Sequence, residues 1–275
     1  MNSIEQLDSN LALLVQSCDK YSDVWDDFFN LRDRFWPDCT FKWYLATDAK
    51  PYNKEGVEVI HFGNIREWTT CMLKTLEKIN EPYVALFLED AFIYKKIDNE
   101  IIRQDLKFVI DNKVDFLTLE KKPKFIPPEE YKYYAPHYVE IPKHQKYGVD
   151  TAAAIWDKDF LIKLLSRQVS DAWQFEINLC KLAASEEGLP GLILYDERGP
   201  FNISPVEVVR MGKIKPDSVK FFHNLGYDLQ TQRPRLSRWQ VLQEKLKVKL
   251  YYLKYGRKTL KKIGRLFGFQ FLSED

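Results

Sequence analysis

Short apolar runs alternate with segments of helical period along the first 120 residues of this chain, and that alternation narrows its fold more than any other feature. The runs are N-L-A-L-L-V-Q-S (10–17), F-K-W-Y-L-A-T-D (41–48), V-E-V-I-H-F (57–62), Y-V-A-L-F-L (83–88) and V-D-F-L-T-L (114–119). Between them, Val24, Phe28, Leu31 and Phe35 share one helical face in 23–35. Trp68, Met72, Leu76 and Ile79 do so in 65–79, before Pro82, and a further helix is expected over 100–112. Later, Y-G-V-D-T-A-A-A-I-W (147–156) reads as a strand with a helix starting at Asp157. Strands that short, separated by single helices, predict βα units around a mostly parallel sheet, an α/β fold.

The chain has 275 residues, 45% hydrophobic and 15% aromatic, which suffices for one large domain with an appendage. No run of about 18 apolar residues is present and the first residues lack the pattern of a secretory signal, so a cytoplasmic protein is expected. Cys18, Cys39, Cys71 and Cys180 are scattered, which argues against a zinc site and a disulfide framework. The net charge of +1 hides an asymmetry: residues 233–275 hold 12 Lys and Arg against 3 Asp and Glu, and the residues before them carry a net −8. Charge therefore divides the chain into a domain expected over 1–232 and a basic tail, 233–275. Pro234 interrupts the chain there, and Ser237 with Gln240 has the spacing of a helix capping box.

The run at 83–88 ends in Glu89 and Asp90 and then returns to apolar Ala91 and Phe92. Ligands of parallel sheets bind at the carboxyl ends of the strands, so Ser17, Cys18 and Asp19, Thr47 and Asp48, and Glu89 and Asp90 are expected along one edge. Carboxylates gathered there repel one another unless a positive group joins them. The chain has no G-x-G-x-x-G, no G-x-x-x-x-G-K-S/T and no G-x-S-x-G. A divalent cation, Mg²⁺ or Mn²⁺, bridging carboxylates to a diphosphate is the simpler answer.

An apolar run closing on an acidic pair resembles the metal-binding motif of nucleotide-sugar glycosyltransferases of the GT-A fold. The succession H-F-G-N, a Trp-containing helix, P-Y-V-A-L-F-L-E-D-A-F-I and later D-A-W-Q-F-E is similar to a group of bacterial capsule and lipopolysaccharide glycosyltransferases, over residues 10–215. Glu89 departs from the Asp common at that position. The resemblance implies a GT-A catalytic domain that moves a sugar from a nucleotide-diphosphate donor, UDP foremost, to a glycan or lipid-linked acceptor, inverting with a carboxylate base.

It also implies roles. Asp90 and Glu89 hold the metal on the donor diphosphate, with His223 as a further ligand or a structural histidine. Ser17, Cys18 and Asp19 line the nucleotide pocket, Asp19 being alternatively a helix cap. Asp48 meets the base or ribose, or is a turn residue. Arg66, Trp68 and Thr69 open the following helix toward the nucleotide, unless Trp68 is simply core. Lys213, with Lys215 or Arg210, neutralises the leaving diphosphate. Glu176, on one face with Trp173, or Asp171, at capping-box distance from Gln174, is the base; the helix N-terminus weakens Asp171 for that task.

Residues 121–144 hold five prolines and five aromatic residues without helical period and read as a long loop, either sugar-stacking or a surface excursion. From 237 to 269, Trp239, Leu242, Leu246, Leu250 and Leu253 recur opposite Arg238, Lys245, Lys249 and Lys254, as basic amphipathic helices do that lie on an anionic membrane or pack on the domain. The expected location is the inner face of the cell membrane. Acidic strand ends argue against nucleic acid. The rival readings are a membrane-associated scaffold and a sugar nucleotidyltransferase, although the latter's phosphate loop needs glycine, which S-C-D-K-Y-S-D lacks.

Overall fold

The computed structural model describes residues 3–120, 131–237 and 239–243. Nine strands form a central sheet: β1 (Leu11–Gln16), β2 (Lys42–Thr47), β3 (Val57–His61), β4 (Tyr83–Leu88), β5 (Phe116–Thr118), β6 (Tyr133–Ala135), β7 (Tyr138–Glu140), β8 (Ala154–Asp157) and β9 (Ile193–Asp196). Their order across the sheet is β3-β2-β1-β4-β8-β5-β9-β7-β6. Seven of the nine point the same way; only β8 and β7 run against their neighbours. The expected α/β architecture, a mostly parallel sheet flanked by helices, is thus present.

Every residue of β1 is buried because the sheet is covered on both faces. On one face Leu11, Leu13 and Val15 meet Phe28, Phe29 and Leu31 of α2 (Trp25–Phe35), together with Trp36, Trp43, Phe87 and Phe201. The rings of Trp43 and Phe87 are 5.3 Å apart. α4 (Asn99–Asn112) packs on the same face, its N-terminus capped by Asp98 accepting from the Glu100 amide. On the other face Ala12 and Leu14 meet Met72 and Leu76 of α3 (Trp68–Leu76), and α5 (Lys158–Leu165) and α6 (Ala172–Ala184) complete the layer. α1 (Ser3–Asp8) precedes β1, a small β10–β11 hairpin (Val209–Arg210, Lys213–Ile214) follows β9, and α7 (Pro216–Asn224) comes last.

Several elements differ from the sequence reading. The 23–35 segment begins as a 3₁₀ turn, Asp19–Val24, before α2. The strand expected over 147–156 starts only at Ala154, because Thr151 and its neighbours form a polar bend. The expected 121–144 loop is not structureless in its described part: β6 and β7 pair as a hairpin that extends the sheet beyond β9. Residues 121–130 lie outside the described residues. So does the tail beyond residue 243, where its amphipathic pattern falls; the capping box is present, with Gln240 N donating to Ser237 Oγ at 3.2 Å and Ser237 N to Gln240 Oε1 at 3.0 Å. Trp239 and Leu242 are exposed.

Beneath β9, the fully buried Asp105 and Asp196 share Arg198, and Tyr138 Oη donates to Asp105 at 2.7 Å. One guanidinium does not neutralise two buried carboxylates, and burial followed by the Asp196 charge pushes Asp105 up to about 8.

The segment after α7 returns to the amino-terminal half as a strap. Asp27, fully buried on α2, accepts from Tyr227 Oη at 2.9 Å, Gln230 N at 2.8 Å and Thr231 N at 3.0 Å. Arg233 pairs with Asp23 at 2.5 Å and lies over the Tyr21 ring, while Leu236 N donates to Ile214 O at 2.9 Å. Residues 233–236, placed with the tail by charge, therefore pack on the body of the protein. Asp27→Ala leaves three donors without their acceptor and should cost about 2–4 kcal/mol, read as a lower urea midpoint.

Candidate functional site

β1 is the turning point of the sheet. The chain leaves it through α2 to β2 on one side, and returns through α3 to β4 on the other. The loops at the carboxyl ends of two such strands diverge, which is why open sheets bind ligands there. A cleft of about 380 Å³ occupies that position.

Ser17, Cys18, Asp48, Arg66, Trp68, Glu89 and Asp90 all line it, joined by Gln16 and Tyr21, which the sequence reading did not single out. Glu89 and Asp90 are half-buried and adjacent in the chain, and both line the cleft. Desolvation, then the Asp90 charge, pushes Glu89 up to about 8; Arg233 and the Ser17 hydroxyl pull the other way. That hydroxyl accepts from Trp25 Nε1 at 2.8 Å, which fixes it beside α2. Asp90 is raised to about 6 by burial, partly offset by the Val209 amide that donates to it at 3.3 Å and reinforced by Glu207. Cys18 is held neutral by burial and by Glu89.

Among the described residues no three His, Cys, Asp or Glu side chains converge on one point. Two adjacent carboxylates short of positive partners are nonetheless the donor set that Mg²⁺ or Mn²⁺ takes when water and phosphate oxygens supply the remaining ligands. Glu89 and Asp90 fit a divalent cation of that kind.

The other residues singled out from the sequence lie elsewhere. Asp19 turns away from the cleft: against its desolvation cost, the Lys50 amide, the Thr47 hydroxyl and the Ala49 amide hold its carboxyl below the usual range, so it braces the β2 loop. Thr69 is buried and clamps α3 to the approach of α6, donating from its amide to Ser170 O at 3.1 Å and accepting from Ser170 N at 2.9 Å. Trp68 both lines the cleft and packs against Phe175, centroids 5.5 Å apart. Lys213 Nζ reaches Gln240 Oε1 at 3.3 Å, and His223, exposed on α7, pairs with Asp228 at 2.7 Å; neither lines the cleft.

A second cleft of about 590 Å³ adjoins the first, and Leu88 and Asp90 belong to both. It is lined by Glu120 at the end of β5, by Thr151–Ala153, and by Ile203–Val208. Glu176 stands behind it: its Oε1 accepts from Thr151 N at 2.9 Å and Thr151 Oγ1 at 2.6 Å, so it holds the bend and does not face the cavity. Asp171 caps α6, accepting from Gln174 N at 2.7 Å, and is exposed. The carboxylate that the sequence reading missed is Glu120. Its signal was present in L-T-L-E (117–120), a strand end of the same kind as that at Glu89.

No family model and no curated protein sequence matches the chain. Solved structures resemble it loosely. Residues 1–349 of S. aureus TarS are 14% identical over 68% of this chain and 60% of that one, TM-score 0.42. The 2-C-methyl-D-erythritol 4-phosphate cytidylyltransferase of Thermus thermophilus is 12% identical over 78% and 97%, TM-score 0.44. The mannosyltransferase PcManGT of Pyrobaculum calidifontis, in complex with GDP-Man and Mn²⁺, is 9% identical over 74% and 58%, TM-score 0.41. This chain spans 36% of the longer TarS structure and 47% of the bifunctional IspDF of Campylobacter jejuni. These likenesses assign no residue of this chain a role.

Burial raises the folded-state pKa of Glu89 above its ordinary 4.5, so its ionisation costs stability that is lost progressively as the pH rises from about 4.5 to about 8. Below that window both states are protonated and nothing is lost. Without metal, Glu89→Gln should match the wild type near pH 4.5 and exceed it by about 1–3 kcal/mol at pH 8.5, measured by urea unfolding.

Proposed function

We propose that this protein is a nucleotide-sugar glycosyltransferase, with the donor in the cleft beside β1 and the acceptor in the cleft beyond Asp90. The observation that carries this reading is the place of Asp90 in the wall common to both cavities, next to Glu89. Group transfer needs a site where two ligands meet at one reacting atom, and the acidic pair marks it.

In this reading Glu89 and Asp90 would hold Mg²⁺ or Mn²⁺, which would supply positive charge to offset that of the leaving nucleotide diphosphate. Ser17, Cys18, Asp48, Arg66 and Trp68 surround the nucleotide. Arg233, whose charge already acts on Glu89 and Asp90, adds a positive field at the same end. On the acceptor side Glu120, which lines the second cleft just past the end of β5, is the carboxylate we assign to remove the hydroxyl proton. Glu176 keeps the part its bonds describe and positions Thr151. A nucleotidyltransferase needs a backbone cradle for a triphosphate, and the 3₁₀ turn after β1 contains no glycine.

Nucleotide release should be screened with a panel of activated sugars and Mn²⁺. Against the best donor, Asp90→Asn should lower turnover at least about 100-fold and weaken nucleotide binding. Glu120→Gln should lower turnover as far while donor binding stays intact, and Glu176→Gln should fall between it and the wild type. Normal turnover in Glu120→Gln would remove that residue from the chemistry.

The basic segment after Ser237 fits an enzyme that works on a lipid-linked acceptor at an anionic surface, in the assembly of a surface polysaccharide at the inner face of the membrane. No helix among the described residues is long and apolar enough to cross a bilayer. Removal of 237–275 should abolish co-sedimentation with vesicles rich in anionic lipid and leave turnover on a soluble acceptor within about twofold.

A further inference from the structure

Apart from its carboxylates, the donor cleft contains a polar group that the protein leaves unsatisfied. Gln16, the last residue of β1, is 1% exposed, and neither its carboxamide oxygen nor its nitrogen has a hydrogen-bond partner in the protein. It nevertheless lines the cleft. Strand register sets it between Ala46 of β2 and Leu88 of β4, one residue ahead of Glu89.

Alternation along β1 sends Ala12, Leu14 and Gln16 to the face under α3 and α6, and Leu13, Val15 and Ser17 to the face under α2. The cleft therefore has two chemically distinct ends. Glu89, Asp90 and Tyr21 mark one; at the other, Phe62, Ile65, Trp68 and Cys71 form walls around the single carboxamide of Gln16. A buried amide without partners lowers stability, and an apolar side chain of the same shape would not. A ligand that enters the cleft with the complementary groups would complete it.

A carboxamide offers a donor and an acceptor side by side in one plane. Held among aromatic and aliphatic walls, that edge matches a flat heterocycle carrying the complementary pair. The whole cleft, about 380 Å³, lies at the small end of the roughly 300–1,000 Å³ that ligand sites span, which favours a one-ring base over a two-ring one. We propose that Gln16 reads the base of a pyrimidine nucleoside diphosphate, pairing with O4 and N3–H of uracil or, with the amide turned over, N3 and the amino group of cytosine. This inference rests on the donor reading above and adds the base to it.

The test titrates UDP, CDP, GDP and ADP, each with Mn²⁺, into the full chain and into Gln16→Leu and Gln16→Met, and melts the three proteins without ligand. The wild type should prefer a pyrimidine diphosphate by about tenfold or more, as two hydrogen bonds allow, and the UDP and CDP arms decide between uracil and cytosine. Both variants should lose that preference, bind the purine diphosphates as the wild type does, and melt at higher temperature. A wild type that favours a purine, variants that keep the pyrimidine preference, or variants that melt lower overturn the assignment of Gln16 and leave the donor reading standing. A wild type that binds none of the four overturns the donor reading itself.

Discussion

Two neighbouring carboxylates at the end of β4, half-buried and facing a cleft with little positive charge, set the terms for the rest of this molecule. Folding alone does not favour them there: desolvation raises both pKa values, the Asp90 charge adds to it at Glu89 and the Glu207 charge at Asp90, and Arg233, whose charge acts on both, is already paired with Asp23. Much of the surrounding structure serves to keep the pair in place. The aromatic layer of Trp43, Phe87 and Phe201 packs on the strand that carries them, and the Val209 amide fastens Asp90 to the β10–β11 hairpin. Groups held under electrostatic strain in a cleft are the usual mark of a site built for a ligand.

The strap after α7 shows how a distant part of the chain serves the same end. Asp27, buried on α2, draws in Tyr227, Gln230 and Thr231, and their position delivers Arg233 to the region of the acidic pair. Sequence separation is about 200 residues, so no local pattern announces it.

The parts of the fold governed by local periodicity were legible in the sequence, and those governed by distant partners were not. The strands before 90 and the helices between them have single-face or fully apolar patterns that survive into the structure with shifts of a few residues. β9 and the β6–β7 hairpin escaped because I-L-Y-D and the tyrosine-rich runs are short, and their pairing spans more than 50 residues. For the site, strand ends were a good guide: Ser17, Cys18, Asp48, Glu89 and Asp90 meet in one cavity because a parallel sheet brings its carboxyl ends together. Residue type was a poor guide to side-chain direction. Asp19 and Glu176 look like functional acids in one dimension, and the structure turns each to backbone amides of a loop distant in sequence. Gln16 had the opposite fate, because an uncharged residue closing an apolar run reads as part of the strand.

Two compartments that share a partition do not fill independently. With Leu88 and Asp90 forming part of each cavity, an occupant of either one shapes the surface met by an occupant of the other. On the donor–acceptor reading the two sites are therefore coupled through one wall, and a change of side chain at Leu88 or Asp90 alters both.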